Sequence, residues 1–206
     1  MGIRSIVYLL IVSSIVYASD HEVSLNISGV SGRSFSSATT TGSQLSVSPK
    51  DAVSLGVRFG LTLTELGSAK VIAQTTIHSE YTTDYHFTDN SFYFREGTGK
   101  YKNEGISLGL NVRWQNFIEY GIGTEVRYEH LTLTNLDSTK VGQYRPWINF
   151  YAGHAFGGWS YTPFFGMEAA LPLTHSSSLN AAQDPEELLK SMSPKFELTL
   201  VIGIRK

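Results

Sequence analysis

Period-two alternation of apolar and polar side chains, sustained for about ten residues at a time, limits this chain more than any other feature, because it places successive side chains on opposite faces of a strand. Its clearest run is Val53 to Leu63, where Val53, Leu55, Val57, Phe59, Leu61 and Leu63 point one way and Ser54, Gly56, Arg58, Gly60 and Thr62 the other. A helix would spread those six apolar residues around its circumference.

Seven more segments repeat the pattern. Val23, Leu25 and Ile27 alternate with Ser24, Asn26 and Ser28, and Val71, Ala73, Ile77, Tyr81 and Tyr85 with Gln74, His78, Glu80 and Asp84. Ile106, Leu108, Leu110, Val112 and Trp114 face away from Ser107, Gly109, Asn111 and Arg113; Ile118, Tyr120, Ile122, Val126 and Tyr128 face away from Glu119, Gly121, Glu125, Arg127 and Glu129. Three segments complete the set: Tyr144, Ile148, Phe150, Ala152 and Phe156 against Arg145, Asn149 and Tyr151; Trp159, Tyr161, Phe165, Met167, Ala169 and Leu171 against Thr162, Gly166 and Glu168; Phe196, Leu198, Leu200, Ile202 and Ile204 against Glu197, Thr199 and Arg205. The count predicts an eight-stranded antiparallel up-and-down sheet.

Connections alternate as well. Glu65-Leu66-Gly67-Ser68, Gln115-Asn116 and Gly157-Gly158 are short enough for tight hairpins. Ser31 to Ser43, Thr88 to Asn103, Thr134 to Gly142 and Thr174 to Pro194 are long and polar, so short turns collect at one end and long loops at the other. Only the last loop carries a helix signal, with Asp184 as N-cap, Pro185 at the first position and Glu186 to Met192 following.

Composition excludes several classes. Sixteen Lys plus Arg against eighteen Asp plus Glu leave no chain-wide electrostatic grip on nucleic acid, and the absence of cysteine rules out disulfides and thiolate metal sites. The six His lack ligand spacing, so neither a metal nor a cofactor is expected. Residues 1–18 read as a cleavable signal peptide, with Arg4 as n-region, Ser5 to Val16 as h-region and Val16-Tyr17-Ala18 as cleavage site; a retained anchor helix is the competitor. Residues 19–206 then form one domain.

Alternation alone does not say which face is inside, but aromatic height does. Counted from the short-turn end, Trp114, Phe156 and Trp159 fall low on the apolar face and Tyr81, Tyr128, Tyr144 and Phe196 high, at a spacing that suits strands of about 9–11 residues crossing a bilayer. Between the two girdles the face is aliphatic. The opposite face carries Arg58, His78, Glu125, Arg127, Asn149, Glu168 and Glu197 at one intermediate height, a mixed-sign layer that would cost a few kcal/mol per charge in lipid but can pair inside a narrow barrel. Eight strands leave an interior that side chains just fill, so a plugged polar core is expected.

Taken together, the signal peptide, eight alternating strands, short turns, long loops and charged interior resemble the small outer-membrane β-barrels of Gram-negative bacteria, of the OmpA-like, OmpX-like and opacity-protein kind. The resemblance covers almost the whole mature chain and is one of architecture. It implies outer-membrane lipid, lipopolysaccharide and the outer-membrane assembly machinery as partners, and a monomer. Such barrels usually end on an aromatic residue; this chain ends Ile204-Arg205-Lys206, while Phe196 and the alternating leucines and isoleucines keep the rest of the strand pattern.

Catalytic strings are weak. Gly105-Ile106-Ser107-Leu108-Gly109 spells a nucleophile elbow but lies inside a strand with no helix after it, and Asn26-Ile27-Ser28, a glycosylation string, is likewise within a strand. His130 faces outward at the rim, away from the Glu125/Arg127/Glu129 row; His86 with Asp84 and His175 with Ser176 are similar chance neighbours. The most interaction-like stretch is Phe92, Tyr93, Phe94 and Arg95 followed by Lys100, Tyr101 and Lys102, which could contact lipopolysaccharide, carbohydrate or protein, or could extend two strands beyond the membrane. The expected function is a non-enzymatic surface or structural role; a narrow solute pore, a lipid-modifying enzyme and a soluble secreted barrel are the alternatives.

Overall fold

A computed structural model describes residues 20–31, 35–38, 44–89, 95–134, 140–157, 160–174 and 185–206. Among these residues the strands are, in chain order, β1 (His21–Ser31), β2 (Phe35–Ala38), β3 (Gln44–Pro49), β4 (Ala52–Leu66), β5 (Ala69–Asp89), β6 (Arg95–Trp114), β7 (Glu119–Thr134), β8 (Lys140–Ala155), β9 (Thr162–Pro172) and β10 (Phe196–Arg205), and a helix, α1, spans Pro185–Ser191. The eight alternating segments are all strands. They pair antiparallel in the circuit β1-β4-β5-β6-β7-β8-β9-β10, and β10 returns to β1 with Glu22 opposite Arg205 and Ser31 opposite Phe196. That pairing closes an all-β barrel and leaves no free edge at its waist.

Burial follows the alternation residue by residue. On β1 Glu22, Ser24, Asn26, Ser28 and Val30 are buried in the lumen while Leu25 faces out, and on β4 Ser54 and Arg58 are buried while Val53, Leu55 and Val57 are exposed. The outer surface is an apolar belt that includes Leu108, Leu110, Ile122, Val126, Leu198, Leu200 and Ile202. The β4–β5 turn closes at Gly67, whose φ of 65° lies in the left-handed region that favours glycine. Both ends of the described chain are tied at this short-turn end: Thr62 N donates to the Asp20 carbonyl and Lys206 N to that of His21.

Strands at the long-loop end run on beyond the belt, which corrects two loop expectations. Within Ser31 to Ser43, and just after it, Phe35–Ala38 and Gln44–Pro49 form the β2–β3 hairpin, and β3 continues the line of β4 along β5, Leu45 opposite Asp89 to Pro49 opposite Tyr85. Within Thr88 to Asn103, residues 95–103 are strand rather than loop, paired with β5 as far as Asp89 opposite Arg95. The predicted helix forms at Pro185–Ser191; Asp184, its expected N-cap, lies outside the described residues, as does the signal peptide expected at residues 1–18.

Register slips at two places among the described strands, between Thr62 and Thr64 of β4 and between His78 and Tyr81 of β5. Between His78 and Tyr81, β5 carries one residue more than β6, because His78 pairs with Gly105 and Tyr81 with Asn103. Such a bulge reverses the facing of everything after it. Tyr81 and Tyr85, expected on the outer face, therefore turn inward: Tyr85 is buried and Tyr81 packs on the interior cluster. The girdle assignment of Tyr81 is corrected accordingly.

Candidate functional site

The lumen holds the chemistry of this molecule. Inward parity on eight strands points polar side chains at one axis, and the pairing that results makes their burial tolerable. Nearest the short turns, Arg113 donates two bonds to Glu22, at 2.8 and 3.2 Å, and Arg205 pairs with Glu119 through both guanidinium nitrogens. Tyr151 lies under the Arg113 guanidinium, 4.2 Å from its carbon, and packs with Phe164 and Val201. Higher up, Arg58 makes a bidentate pair with Glu168 at 2.8 and 2.7 Å while its Nε donates to Thr76 Oγ1. Ser28 and Thr199 share a hydroxyl bond beside it.

Arg127 stands at the next level between two carboxylates, 2.7 Å from Glu125 and 2.5 Å from Glu197. Trp147 is fully buried, with the Arg127 and Arg145 guanidinium carbons 4.3 and 4.9 Å from its ring centre. Arg145 also bonds both oxygens of Glu129, and Gln143 donates to Glu129 as well. His78 sits beside Ser107, 3.4 Å from its hydroxyl, and lines a small cavity with Tyr81, Asn103, Arg127 and Glu197. Of the seven polar residues expected in the interior, Arg58 meets Glu168, Arg127 meets Glu125 and Glu197, and His78 meets Ser107, while the side-chain amide of Asn149 has no hydrogen-bond partner among the described residues.

Sequence reasoning missed Glu22, Glu119, Arg113, Arg205, Glu129 and Arg145 as members of this network. Their parity on the polar face is visible in the sequence, but they lie outside the single layer of seven residues expected there. Trp147 was missed because large aromatics were sought on the apolar face, although it shares parity with Arg145 and Asn149.

Above the last ion pair the lumen becomes apolar. Val47, Tyr85, Tyr101, Leu131, Leu133 and Val141 line the wall, and Leu189 and Met192 of the last loop are buried among them. Two polar ties anchor that segment: Gln143 Nε2 donates to Ser193 Oγ at 2.6 Å and Arg145 Nη2 to the Pro194 carbonyl at 2.7 Å. Tyr101 therefore belongs to the interior, while Lys100 and Lys102 face outward and Lys102 pairs with Glu80 at 2.8 Å. The expected loop cluster is split between two faces; Phe92, Tyr93 and Phe94 lie outside the described residues, as does the side chain of Arg95.

Outward aromatics gather at both margins of the belt. At the short-turn margin Trp114 stacks on Tyr120 at 5.5 Å and Phe156 on Phe165 at 5.7 Å, with His154 between Phe117 and Phe156. Trp159 lies outside the described residues. At the other margin Tyr128 meets Tyr144 at 4.9 Å, and Phe196 is exposed on β10. His130 lies on the outer face above Tyr128, His86 is exposed, and among the described residues no group of three or more His, Asp or Glu is arranged to hold a metal ion.

An eight-stranded closed barrel with an apolar girdled exterior and a charged lumen is the architecture of the small outer-membrane β-barrels. Among solved structures the chain is similar to the outer membrane protein OprG from Pseudomonas aeruginosa, at a TM-score of 0.61 and 10% identity over 92% of this chain and 96% of that one. Weaker likenesses are Neisserial surface protein A, at a TM-score of 0.47 and 10% identity over 90% and 95% of the two chains, and Ail, the attachment invasion locus protein of Yersinia pestis, at 0.44 and 10% over 92% and 99%. No protein-family model and no curated protein sequence matches the chain.

Proposed function

We propose that this chain is an integral outer-membrane protein that does not conduct, serving as a structural element of the membrane and as a platform for surface contacts at its long-loop end. The filled lumen carries this reading: five arginines and six glutamates lock into successive pairs, and an apolar cap closes the outer end. The apolar belt between its two aromatic margins suits lipid, with Tyr128 and Tyr144 at the lipopolysaccharide-facing margin. Export by a cleaved signal at residues 1–18, insertion by the outer-membrane assembly machinery and a monomeric state complete the proposal.

Fractionation with electrophoresis of unheated and heated samples tests location; a protein soluble without detergent would overturn it. Planar-bilayer recording tests the closed lumen, with no unitary conductance expected. A narrow pore is favoured by one observation, the side-chain amides of Gln74, Asn111 and Asn149, which are buried in the lumen without a hydrogen-bond partner among the described residues. Reproducible conductance that changes when Arg58 or Glu125 is neutralised would establish that reading instead. An enzymatic role would require lipid composition in cells to change when His86, His130 and His175 are replaced together.

A further inference from the structure

The barrel wall is uneven at its outer end. β9 stops at Pro172, β10 starts at Phe196 and β1 stops at Ser31, whereas β5 runs to Asp89, β6 starts at Arg95, β7 runs to Thr134 and β8 starts at Lys140. Lys140 to Arg145 of β8 lie beyond its last partner on β9, Trp147 opposite Pro172. What remains is a tall curved sheet, β2-β3-β5-β6-β7-β8, and among the described residues no strand stands above β9 and β10. Its inner surface is the apolar wall of Val47, Tyr85, Tyr101, Leu131, Leu133 and Val141.

Residues 185–194 fill the hollow of that sheet as a ligand would. Leu189 of α1 and Met192 just after it supply apolar bulk, and the hydroxyl of Ser193 and carbonyl of Pro194 accept hydrogen bonds from Gln143 and Arg145. The segment contacts β7 and β8 by side-chain packing and forms no strand pairing with either. Beneath it the floor is complete without it, because Glu129 already pairs with Arg145 and Trp147 lies under both guanidiniums. Its departure would therefore uncover a cup, not a channel, with apolar walls and two donors left at its base.

We propose that this cup is a binding site for molecules with an apolar chain and an amide or peptide carbonyl, and that residues 185–194 hold it closed by occupying it in cis. The chain replaces Leu189 and Met192; the carbonyl replaces that of Pro194 on Arg145. The inference rests on the reading that this end of the barrel faces the cell exterior.

The test exploits the absence of native cysteine. Leu189→Cys and Met192→Cys, each purified and reconstituted in phospholipid vesicles, are labelled with a polar maleimide alone, with N-methyldecanamide, and with decylammonium of the same chain length. Labelling about tenfold faster with the amide, and not with the ammonium, is expected, an effect within the usual range of coupling between two sites. The amide effect should be lost in Gln143→Leu and Arg145→Lys backgrounds that still migrate as folded barrels. Equal acceleration by both compounds, or by neither, would overturn the cup. Labelling of Lys195→Cys on intact cells tests the surface reading separately, since Lys195 is exposed beside the segment.

Discussion

Single residues in this lumen are held by their partners more than by their surroundings. Arg127 serves Glu125 and Glu197 at once, so Arg127→Gln leaves two buried carboxylates without their cation, and a loss of about 3–5 kcal/mol in folding stability is expected, read as a shift in the urea midpoint of the heat-modifiable band. Replacing Arg58 and Glu168 together by Met and Leu should cost much less, because no charge is stranded. Gly123 belongs to the same scale. A Cβ there would stand 2.3 Å from Asn149 Oδ1 and 2.8 Å from the Leu110 carbonyl, so Gly123→Ala should destabilise by about 1–3 kcal/mol in the same assay. The polar parity of these residues was legible from the alternation; which arginine meets which glutamate was not, since partners up to 110 positions apart are brought together only by closure.

At the scale of the strand, parity decides what a substitution meets. Leu110 and Asn111 are neighbours on β6, one half-exposed on the belt and one wholly buried in the lumen. Leu110→Arg should therefore cost about 2–4 kcal/mol and deplete the folded band, whereas Asn111→Ser should be tolerated. Equal tolerance of both would reverse the faces. The bulge in β5 makes a further prediction. Deleting Glu80 removes the extra residue and leaves Tyr81 and Tyr85 facing inward, so only the exposed pair with Lys102 is lost, a change of at most about 1 kcal/mol in the urea midpoint. Strand cores were readable because period two is strong there; the bulge was not, because Ser79-Glu80 looks like any polar pair and its extra residue shows only against β6.

At the scale of the whole molecule, one direction of charge and one direction of apolar surface organise everything. Apolar residues turned outward form a belt, polar residues turned inward form successive ion pairs, and the near-zero mean hydropathy of −0.08 is the average of the two. By itself the sequence determined the eight strands that close the barrel, the face each strand core presents, the ends at which turns and loops gather, and the position of the helix at Pro185–Ser191, since all of these follow from local periodicity and turn chemistry. Tertiary structure alone decided the ion-pair partners, the inward turn of Tyr81, Tyr85 and Tyr101, the β2–β3 hairpin and the burial of Leu189 and Met192. Those depend on register between strands and on wall heights that differ around the barrel, and neither is encoded in any single stretch of chain.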